Sequence, residues 1–327
     1  MFRGFSIALV LTAVLLPGAA AAGSGVDPFL FFNVFSLGDI GSAASPYHSD
    51  YQGIGGCAGS AWFSGMSLND VGPVPGDFAF FAGETFTFTG AVNNGGVEAG
   101  GDVFLTGVSV QGDVVSGGDV TGSGGSVNGD LTAAGTATLT ALTVSGAVSE
   151  GIPFTPTVDP DAVSSFLLAR STYYGALPAT GSPFVGGQVA FNGAAGTNVF
   201  DVDASAIDAA WGVAVVAPAE ATVIVNVRGT AGAITNMDWQ VSGGIPLDHL
   251  LIHFPEADSL RITGVAVRGN ILAPHAICDF PSGLVTGGLW VGELRGGGQV
   301  NHGFFTEPQP PTSVRSASWG SVKRMFR

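Results

Sequence analysis

The residues of this sequence that could perform acid–base or metal chemistry are few and scattered. Of the five histidines, only His249 and His253 lie close together, in the segment LDHLLIHF. That segment is typical of a β-strand, in which a spacing of four residues puts both rings on one face but about 13 Å apart, too far for one metal ion. We therefore expect solvated or core histidines, no metal site and no cofactor.

Aspartates follow glycines at a fixed spacing. Asp102 and Asp119 are 17 residues apart, as are Asp113 and Asp130. Such residues favour turns, where the carboxylate can accept nearby backbone N–H groups. Stacked repeats would place like charges about 4.8 Å apart, which makes a bridging Ca²⁺ an alternative, but the calcium-binding nonapeptide pattern GGxGxDxUx is absent. Structural turn aspartates are the favoured interpretation.

A carbohydrate-active β-helix enzyme, a polysaccharide lyase or a glycosidase, is the catalytic alternative. A lyase needs a basic residue and a glycosidase a pair of carboxylates, yet the only lysine is Lys323 and no carboxylate pair stands apart from the turn aspartates. The arginines of the chain's body are Arg170, Arg228, Arg261, Arg268 and Arg295. A sugar-binding cleft would draw on Trp62, Trp211, Trp239 or Trp290, which more often fill a core. We predict a protein that is not an enzyme.

The two cysteines, Cys57 and Cys278, lie far apart in the sequence. One long-range disulfide is compatible with an exported protein, and two free, buried thiols are the alternative. The sequence leaves both alternatives open. A thiol-ligated metal site is not indicated.

The N-terminal segment has the pattern of a secretory signal peptide. Residues 1–22 combine a basic start, the apolar run FSIALVLTAVLLPG and small residues before Gly23, where we expect cleavage. The formal net charge is −15, which argues against nucleic acid as a partner because phosphate binding needs clustered Lys and Arg.

The elements that must position these residues repeat along the chain. Gly95, Gly112, Gly129 and Gly146 are each 17 residues apart, with short β-rich stretches between them. This period predicts a β-solenoid whose coils, about residues 50–150, pair as parallel strands in one domain over 23–306. Asp159 and Pro160 then begin an amphipathic helix over about 160–177, and β-type segments resume over 185–305. LPATG, at 177–181, matches the sortase motif, but its position far from the C-terminus favours a helix stop.

Two rows of threonines mark the flat faces that such a solenoid presents. The candidate binding residues are Thr85, Thr87, Thr89, Thr136, Thr138 and Thr140. Ice binding would require these rows to persist from coil to coil. The residues expected at the matching positions of the intervening coils are Val103, Leu105, Val120 and Gly122. Threonine then reflects β-propensity on an exposed face, and ice binding is the lesser alternative.

Several stretches resemble the choice-of-anchor A domain of bacterial surface proteins, a family similar to the ice-binding-like adhesive domains. They are FNVFSLGDI (32–40), SDYQGIGGCAGSAWFSG (49–65), ATVIVNVRG (221–229), HLLIHFPEADSLRITG (249–264), GNILAPHAICDF (269–280) and GGGQVNHGFF (296–305). The resemblance implies an exported protein with a right-handed parallel β-solenoid, one long helix packed alongside, and an adhesive or cell-surface role without catalytic residues.

The C-terminal segment departs from that family. After Phe305 we find neither a hydrophobic span nor a sorting signal, only a Pro-containing linker and a basic-aromatic tail over 307–327. Such a tail is predicted to engage a sorting or anchoring machinery. The sequence thus predicts a secreted or surface-attached protein that binds an extracellular or cell-surface ligand, such as a polysaccharide, matrix protein or envelope component.

Overall fold

The structure is a computed structural model that describes residues 27–70 and 78–308, and this part of the chain is rich in strands. The first half contains helix α1 (Pro28–Phe31) and strands β1 (Val34–Ser36), β2 (Gly55–Cys57), β3 (Ala61–Leu68), β4 (Phe78–Ala82), β5 (Phe86–Val92), β6 (Gly96–Ala99), β7 (Val103–Val110), β8 (Val114–Ser116), β9 (Val120–Val127), β10 (Leu131–Ala133), β11 (Ala137–Val144) and β12 (Val148–Ser149).

The second half begins with the long helix α2 (Pro160–Gly175) and adds a short helix, α3 (Ala204–Asp208). Its strands are β13 (Phe184–Val185), β14 (Gln188–Asn192), β15 (Gly196–Asp203), β16 (Gly212–Val216), β17 (Ala221–Arg228), β18 (Ala231–Thr235), β19 (Asp238–Ser242), β20 (Leu250–His253), β21 (Ser259–Thr263), β22 (Ala266–Arg268), β23 (Asn270–Phe280), β24 (Leu284–Thr286), β25 (Leu289–Gly296) and β26 (Gln299–Asn301). A 3₁₀ turn, Leu247–His249, precedes β20.

The 17-residue period of the glycines is the register offset between paired strands. In the five-stranded sheet β11-β9-β7-β5-β3, Val103 pairs in parallel with Val120, and Val120 with Ala137. The same offset joins Val97 to Val114 and Val114 to Leu131 in a second sheet. Each repeat therefore contributes one strand to each of two large parallel sheets, as the spacing predicts.

The largest sheet joins the two halves of the chain through β1. Its order is β12-β10-β8-β6-β4-β2-β1-β25-β23-β20-β17-β15, so the N-terminal strand lies between the coils of the first half and those of the second. Phe35 of β1 pairs with Gly56 on one side and with Trp290 on the other. The chain thus builds outward from β1 to β12, crosses to β15, and returns to β1.

Helix α2 follows the end of the first half and packs on the outside of the largest sheet. It begins as predicted: the Asp159 carboxylate accepts the N–H groups of Asp161 (3.0 Å) and Ala162 (3.3 Å), and Pro160 is the first helical residue. The helix buries a stripe of four residues, Val163, Leu167, Ser171 and Tyr174. Its three members other than Ser171 belong to an outer core with Ile224, Leu251, Leu272 and Trp290, separate from the core enclosed by the coils.

A column of left-handed residues crosses strands β3, β7, β9 and β11 of the five-stranded sheet. Gly65, Gly107 and Gly124 have φ of 63°, 61° and 71°, and the equivalent residue of the last coil is Ala141 at 54°. A left-handed conformation costs a residue with a Cβ about 1–2 kcal/mol, whereas glycine adopts it freely. The last coil therefore carries local strain that the other coils avoid.

Ala141→Gly should raise the free energy of unfolding by about 0.5 kcal/mol, because relief of the left-handed strain exceeds the entropy that glycine adds to the unfolded chain. Ala91→Gly is the matched control, since Ala91 is half-buried in β5 and has no positive φ. It should destabilise by about 0.5–1 kcal/mol. Urea unfolding of both variants measures this, and equal signs would contradict the strain argument.

No helix among the described residues is long and apolar enough to cross a membrane. The predicted signal peptide over 1–22 and the tail beyond residue 308 lie outside the described residues. The LPATG segment follows α2, and Thr180 joins the sheet edge: its N–H donates to the Val199 carbonyl at 2.8 Å.

Candidate functional site

The outer face of the five-stranded sheet carries four of the six predicted threonines. Two rows of side chains run across its strands, perpendicular to the chain. The first row is Trp62, Thr87, Phe104, Thr121 and Thr138. In the second row Ser64 pairs with Thr89, and beyond a bulge between β5 and β7 Thr106 pairs with Ser123, and Ser123 with Thr140. Thr87, Thr138, Thr89 and Thr140 are therefore brought together on one face.

Thr85 and Thr136 lie beside this face, at the corner that precedes each strand. The Thr85 carbonyl accepts the Ala61 N–H at 2.9 Å. The Thr136 N–H and hydroxyl both donate to Asp119 Oδ1, at 2.7 and 3.1 Å. These two threonines hold the corner together, and the structure does not place them in the rows.

The residues expected to interrupt the rows were assigned wrongly by one position. Val103, Leu105, Val120 and Gly122 are buried and face the interior. The outward neighbours are instead Phe104, Thr106, Thr121 and Ser123. The error arises because β7 and β9 each begin with an inward residue directly after a corner aspartate, and a shift of one residue exchanges the two faces of a strand. The second row therefore holds Ser or Thr in every strand, and the first row holds Thr in three of its five strands.

A third row lies beyond the left-handed column. Its members are Ser67, Ala91, Ser109, Ser126 and Thr143. Across the three rows, the outward positions of the five strands hold twelve Ser or Thr, one Ala, two aromatic side chains and no charged side chain. We call this surface the hydroxyl face.

The same sheet position becomes charged in the second half of the chain. Ile40 bridges Ala61 of β3 and Leu294 of β25. The first row, which contains Trp62 directly after Ala61, therefore continues into β25, β23 and β21. There it holds Arg295, Asp279 and Arg261, and Arg261 forms an ion pair with Asp279. The neutral composition of the hydroxyl face is therefore a property of the first-half coils, in a chain whose net charge is −15.

The Gly-Asp repeats connect one coil to the next. Asp119 N–H donates to Asp102 Oδ1, Asp130 N–H to Asp113 Oδ1 and Ala147 N–H to Asp130 Oδ1, each at 2.8 Å. Each aspartate thus accepts a backbone N–H of the following coil, the turn role that the sequence favours. Within the described residues no group of three or more His, Cys, Asp or Glu could hold a metal ion.

A glycine one coil further on makes room for the carboxylate of each of these aspartates. A Cβ on Gly118 would overlap Asp102 Oδ1, and a Cβ on Gly135 would overlap Asp119 Oδ1. These glycines are not in the left-handed conformation, so close approach is their reason. Gly and Asp therefore recur together because each needs the other one coil away.

Cys57 and Cys278 are both free and fully buried, so the structure shows the second of the two alternatives that the sequence left open. The Cys57 thiol donates to the Gly59 carbonyl at 3.3 Å. Burial raises the pKa of both thiols well above the ordinary value. Buried, protonated thiols behave as small apolar side chains.

His249 and His253 do not share a strand face. His249 ends the 3₁₀ turn and lies 3.2 Å from the Ala221 carbonyl through Nδ1, whereas His253 ends β20 and is fully buried. His253 Nε2 lies 2.8 Å from Ser171 Oγ, and its Nδ1 lies 2.8 Å from Asn226 Oδ1. Sequence reasoning missed this network because its members come from α2, β17 and β20.

The Ser171, His253 and Asn226 side chains resemble a hydrolytic triad in connectivity alone. Ser171 is buried in α2, and Asn226 Nδ2 donates to the Tyr174 carbonyl at 3.1 Å. Arg228, beside them, is held by the Gly175 carbonyl (2.8 Å) and by Asp201 (2.7 Å). Burial, to which Arg228 and His275 nearby add, lowers the pKa of His253 to about 3. The network therefore docks the helix on the sheet.

The tryptophans do not line a common cleft. Trp290 is fully buried, with Nε1 donating to the Phe32 carbonyl at 3.1 Å, and Trp239 is 8% exposed. Trp62 is half-buried on the hydroxyl face, and Trp211 is exposed beside Gly187. Among the described arginines considered as bases, Arg170, Arg228, Arg261 and Arg295 each form an ion pair with a carboxylate. The groups that remain available on the surface are the rows of hydroxyl and aromatic side chains of the hydroxyl face.

The chain is similar to known proteins over most of its length. The family model of the ice-binding-like adhesive domain matches residues 26–302, more than four fifths of the chain. No curated protein matches. A solved structure, an ice-binding protein from an Antarctic Flavobacteriaceae bacterium, is similar over 84% of this chain and 81% of its own at 13% identity, with a TM-score of 0.30 that supports no further conclusion. The resemblance seen in the sequence is confirmed: the chain belongs to the ice-binding-like adhesive domain family, which is not a family of enzymes.

Proposed function

We propose that this protein is an exported, non-enzymatic adhesive or structural component, and that it binds a surface or an extended ligand through the hydroxyl face. The observation that carries the proposal is that Ser or Thr occupies twelve of the fifteen outward positions of β3, β5, β7, β9 and β11. Parallel strands lie about 4.8 Å apart, so these hydroxyls repeat at a spacing suited to repetitive partners. Membership of an adhesive-domain family supports the same role.

We infer that the coils form a right-handed β-solenoid. Parallel pairing at a constant offset of 17 residues and a core enclosed between the sheets support this inference. Parallel strands joined within one sheet are nearly always connected with right-handed crossovers. A solenoid provides a rigid platform, because each coil is held by both neighbours.

Attachment to a cell surface through the C-terminal tail would leave the hydroxyl face free. Phe305 N–H donates to the Phe29 carbonyl at 3.2 Å, so both described chain ends meet at one place. The Phe305 and Tyr174 rings are 6.0 Å apart, which puts that place beside α2. A sorting or anchoring machinery that engages the tail would therefore hold the helix side of the molecule. Export through the 1–22 segment belongs to the same proposal.

Thr138→Glu should weaken binding at least tenfold, because a carboxylate on the hydroxyl face must be desolvated against a partner selected for neutral groups. Ala266→Glu is the matched control, since Ala266 is an exposed strand residue outside that face. Binding is measured to polysaccharides, host-matrix proteins, bacterial envelope fractions and ice, with released sugars assayed in the same wells. Equal losses in both variants would overturn the proposed face, and sugar release would favour the enzyme alternative.

Ice binding is the second candidate, favoured by the persistence of the hydroxyl rows. Thr121 pairs with Thr138, Ser123 with Thr140 and Ser126 with Thr143, which gives three hydroxyl rows on adjacent strands. Trp62 and Phe104 interrupt the first row. Inhibition of ice recrystallisation by the wild type, lost in Thr138→Glu, would support this candidate over adhesion to an organic surface.

A further inference from the structure

We propose that Trp62 and Phe104 form two stacking positions for a neutral polysaccharide built of hexopyranose units. This proposal rests on the proposed function, because it names the ligand class of the hydroxyl face. Both side chains point outward from the sheet, and Phe104 is 40% exposed. Aromatic side chains combine a large apolar area with low conformational entropy, which makes them common anchors at binding surfaces.

The register fixes the separation of the two rings along the face. Trp62 and Phe104 both pair with Thr87, one from each side, so they occupy the same row two strand spacings apart. Two spacings amount to about 9.6 Å between backbones. Thr87 between them is half-buried and smaller than either neighbour. The row therefore presents two aromatic side chains with the smaller Thr87 between them. Their separation is suited to contact with alternate sugar rings of one linear glycan.

Hydroxyl groups accompany both aromatic positions. Ser64 and Thr106 lie two residues further along the strands of Trp62 and Phe104, and Thr89 lies between them in the second row. Residues i and i+2 of a strand share a face about 6.6 Å apart. Each Ser or Thr can both donate and accept a hydrogen bond, as sugar hydroxyls do. The apolar faces of a glycan would contact the rings while its edge hydroxyls bond to the second row.

Charge selects a neutral rather than an anionic glycan. The hydroxyl face itself has no charged side chain, so an anionic sugar finds no cation there. Asp102 and Asp119 are exposed at the corner that precedes β7 and β9, beside the first row. Their carboxylates repel anionic groups and can accept hydrogen bonds from sugar hydroxyls.

The experiment compares binding of the full chain to neutral and anionic polysaccharides. The probes are hydroxyethyl cellulose, laminarin and mannan, with alginate as the anionic comparison, and retardation in gels containing each polymer gives the affinity. Trp62→Ala and Phe104→Ala should each weaken binding to the neutral polymer about tenfold. Trp211→Ala should leave it unchanged, because Trp211 is exposed elsewhere, beside Gly187. Trp62→Tyr and Phe104→Trp should restore most of the affinity.

The outcomes separate this proposal from the proposed function. Retardation by a neutral polymer that both alanine variants lose, with unchanged thermal melting, supports the stacking positions. Binding to ice, a matrix protein or alginate that Thr138→Glu abolishes, without retardation by any neutral polymer, overturns the glycan proposal and leaves the adhesive face standing. Binding that neither Thr138→Glu nor either alanine variant weakens overturns both. Equal losses in Trp211→Ala and Trp62→Ala would also contradict the assignment.

Discussion

Acidification from pH 7 to pH 3.5 should lower the free energy of unfolding by about 4 kcal/mol through His253 alone. The pKa of this histidine is lowered from 6.5 to about 3 in the folded protein, chiefly by burial. The unfolded chain therefore binds the proton more readily between these pH values, and stability falls as the pH decreases through that window. Each pKa unit corresponds to about 1.36 kcal/mol, so most of the loss is complete by pH 3.5.

Carboxyl groups elsewhere in the protein oppose part of this effect, which must be separated from theirs. Ser171, Asn226, Arg228, Tyr174 and His275 surround His253. Desolvation by burial raises the pKa of the carboxyl groups of Glu98, Glu307 and Asp70. These carboxyls take up protons more readily when folded, so acid favours the folded state through them.

The measurement is urea unfolding at several pH values for the wild type, His253→Gln and His48→Gln. Glutamine can keep one hydrogen bond to Ser171 or Asn226 but does not titrate, so His253→Gln should be less stable at pH 7 and lose stability less steeply toward pH 3.5. His48 is exposed, and its variant should retain the wild-type slope. If His253→Gln and His48→Gln show the same pH dependence, the linkage to His253 is wrong.

The repeat and the helix could be predicted because their signals are local. The spacing of Gly95, Gly112 and Gly129 gives the offset at which strands pair, and Asp159 with Pro160 marks the residue at which α2 begins. The helix ends at Gly175 rather than 177, within the usual fraying of helix ends. What the spacing could not supply was the phase of each strand, since one residue decides whether Thr121 or Val120 faces outward.

The remaining features depend on contacts between distant parts of the chain. The position of β1 between β2 and β25 joins residues about 250 positions apart, for which no periodicity in the sequence is a guide. The same holds for the network of Ser171, His253 and Asn226, whose members lie 82 and 27 residues apart. Nothing in the sequence around Ser171 distinguishes it, and only the fold shows that it meets a histidine.

The outward direction of four of the predicted threonines was anticipated for an incomplete reason. Threonine-rich strands indicated an exposed β-face, which is correct for Thr87, Thr89, Thr138 and Thr140. Phe104 gave no such signal, and Trp62 was named only as one candidate for a sugar-binding cleft, because aromatic residues in strands are usually buried, as Phe63, Phe86 and Phe88 are in the same sheet. Their outward direction follows from the alternation along β3 and β7 once the register is known.

Gly118→Ala should lower the free energy of unfolding by about 3 kcal/mol. Its Cβ would overlap Asp102 Oδ1 and come close to the backbone of Gly101 and Asp102, so the corner must shift or the carboxylate must leave. Overpacking of this kind typically costs about 1–3 kcal/mol, and loss of the bond from Asp119 N–H to Asp102 Oδ1 adds about 1 kcal/mol. Asp102→Ala alone should cost only about 1 kcal/mol, since the bond is exposed.

Because the clash and the hydrogen bond involve the same carboxylate, the two substitutions should not be additive. The double variant Asp102→Ala, Gly118→Ala removes the atom that the new methyl group meets, so its cost should fall short of the sum by about 1–2 kcal/mol. Gly107→Ala is the control: Gly107 has a positive φ but open space where a Cβ would stand, so its cost of about 1 kcal/mol should be unaffected by Asp102→Ala. Urea unfolding of the wild type, the three single variants and the two double variants gives the free energies for both double-mutant cycles. Additivity at Gly118 would mean that Gly-Asp recurs for a reason other than mutual fit between coils.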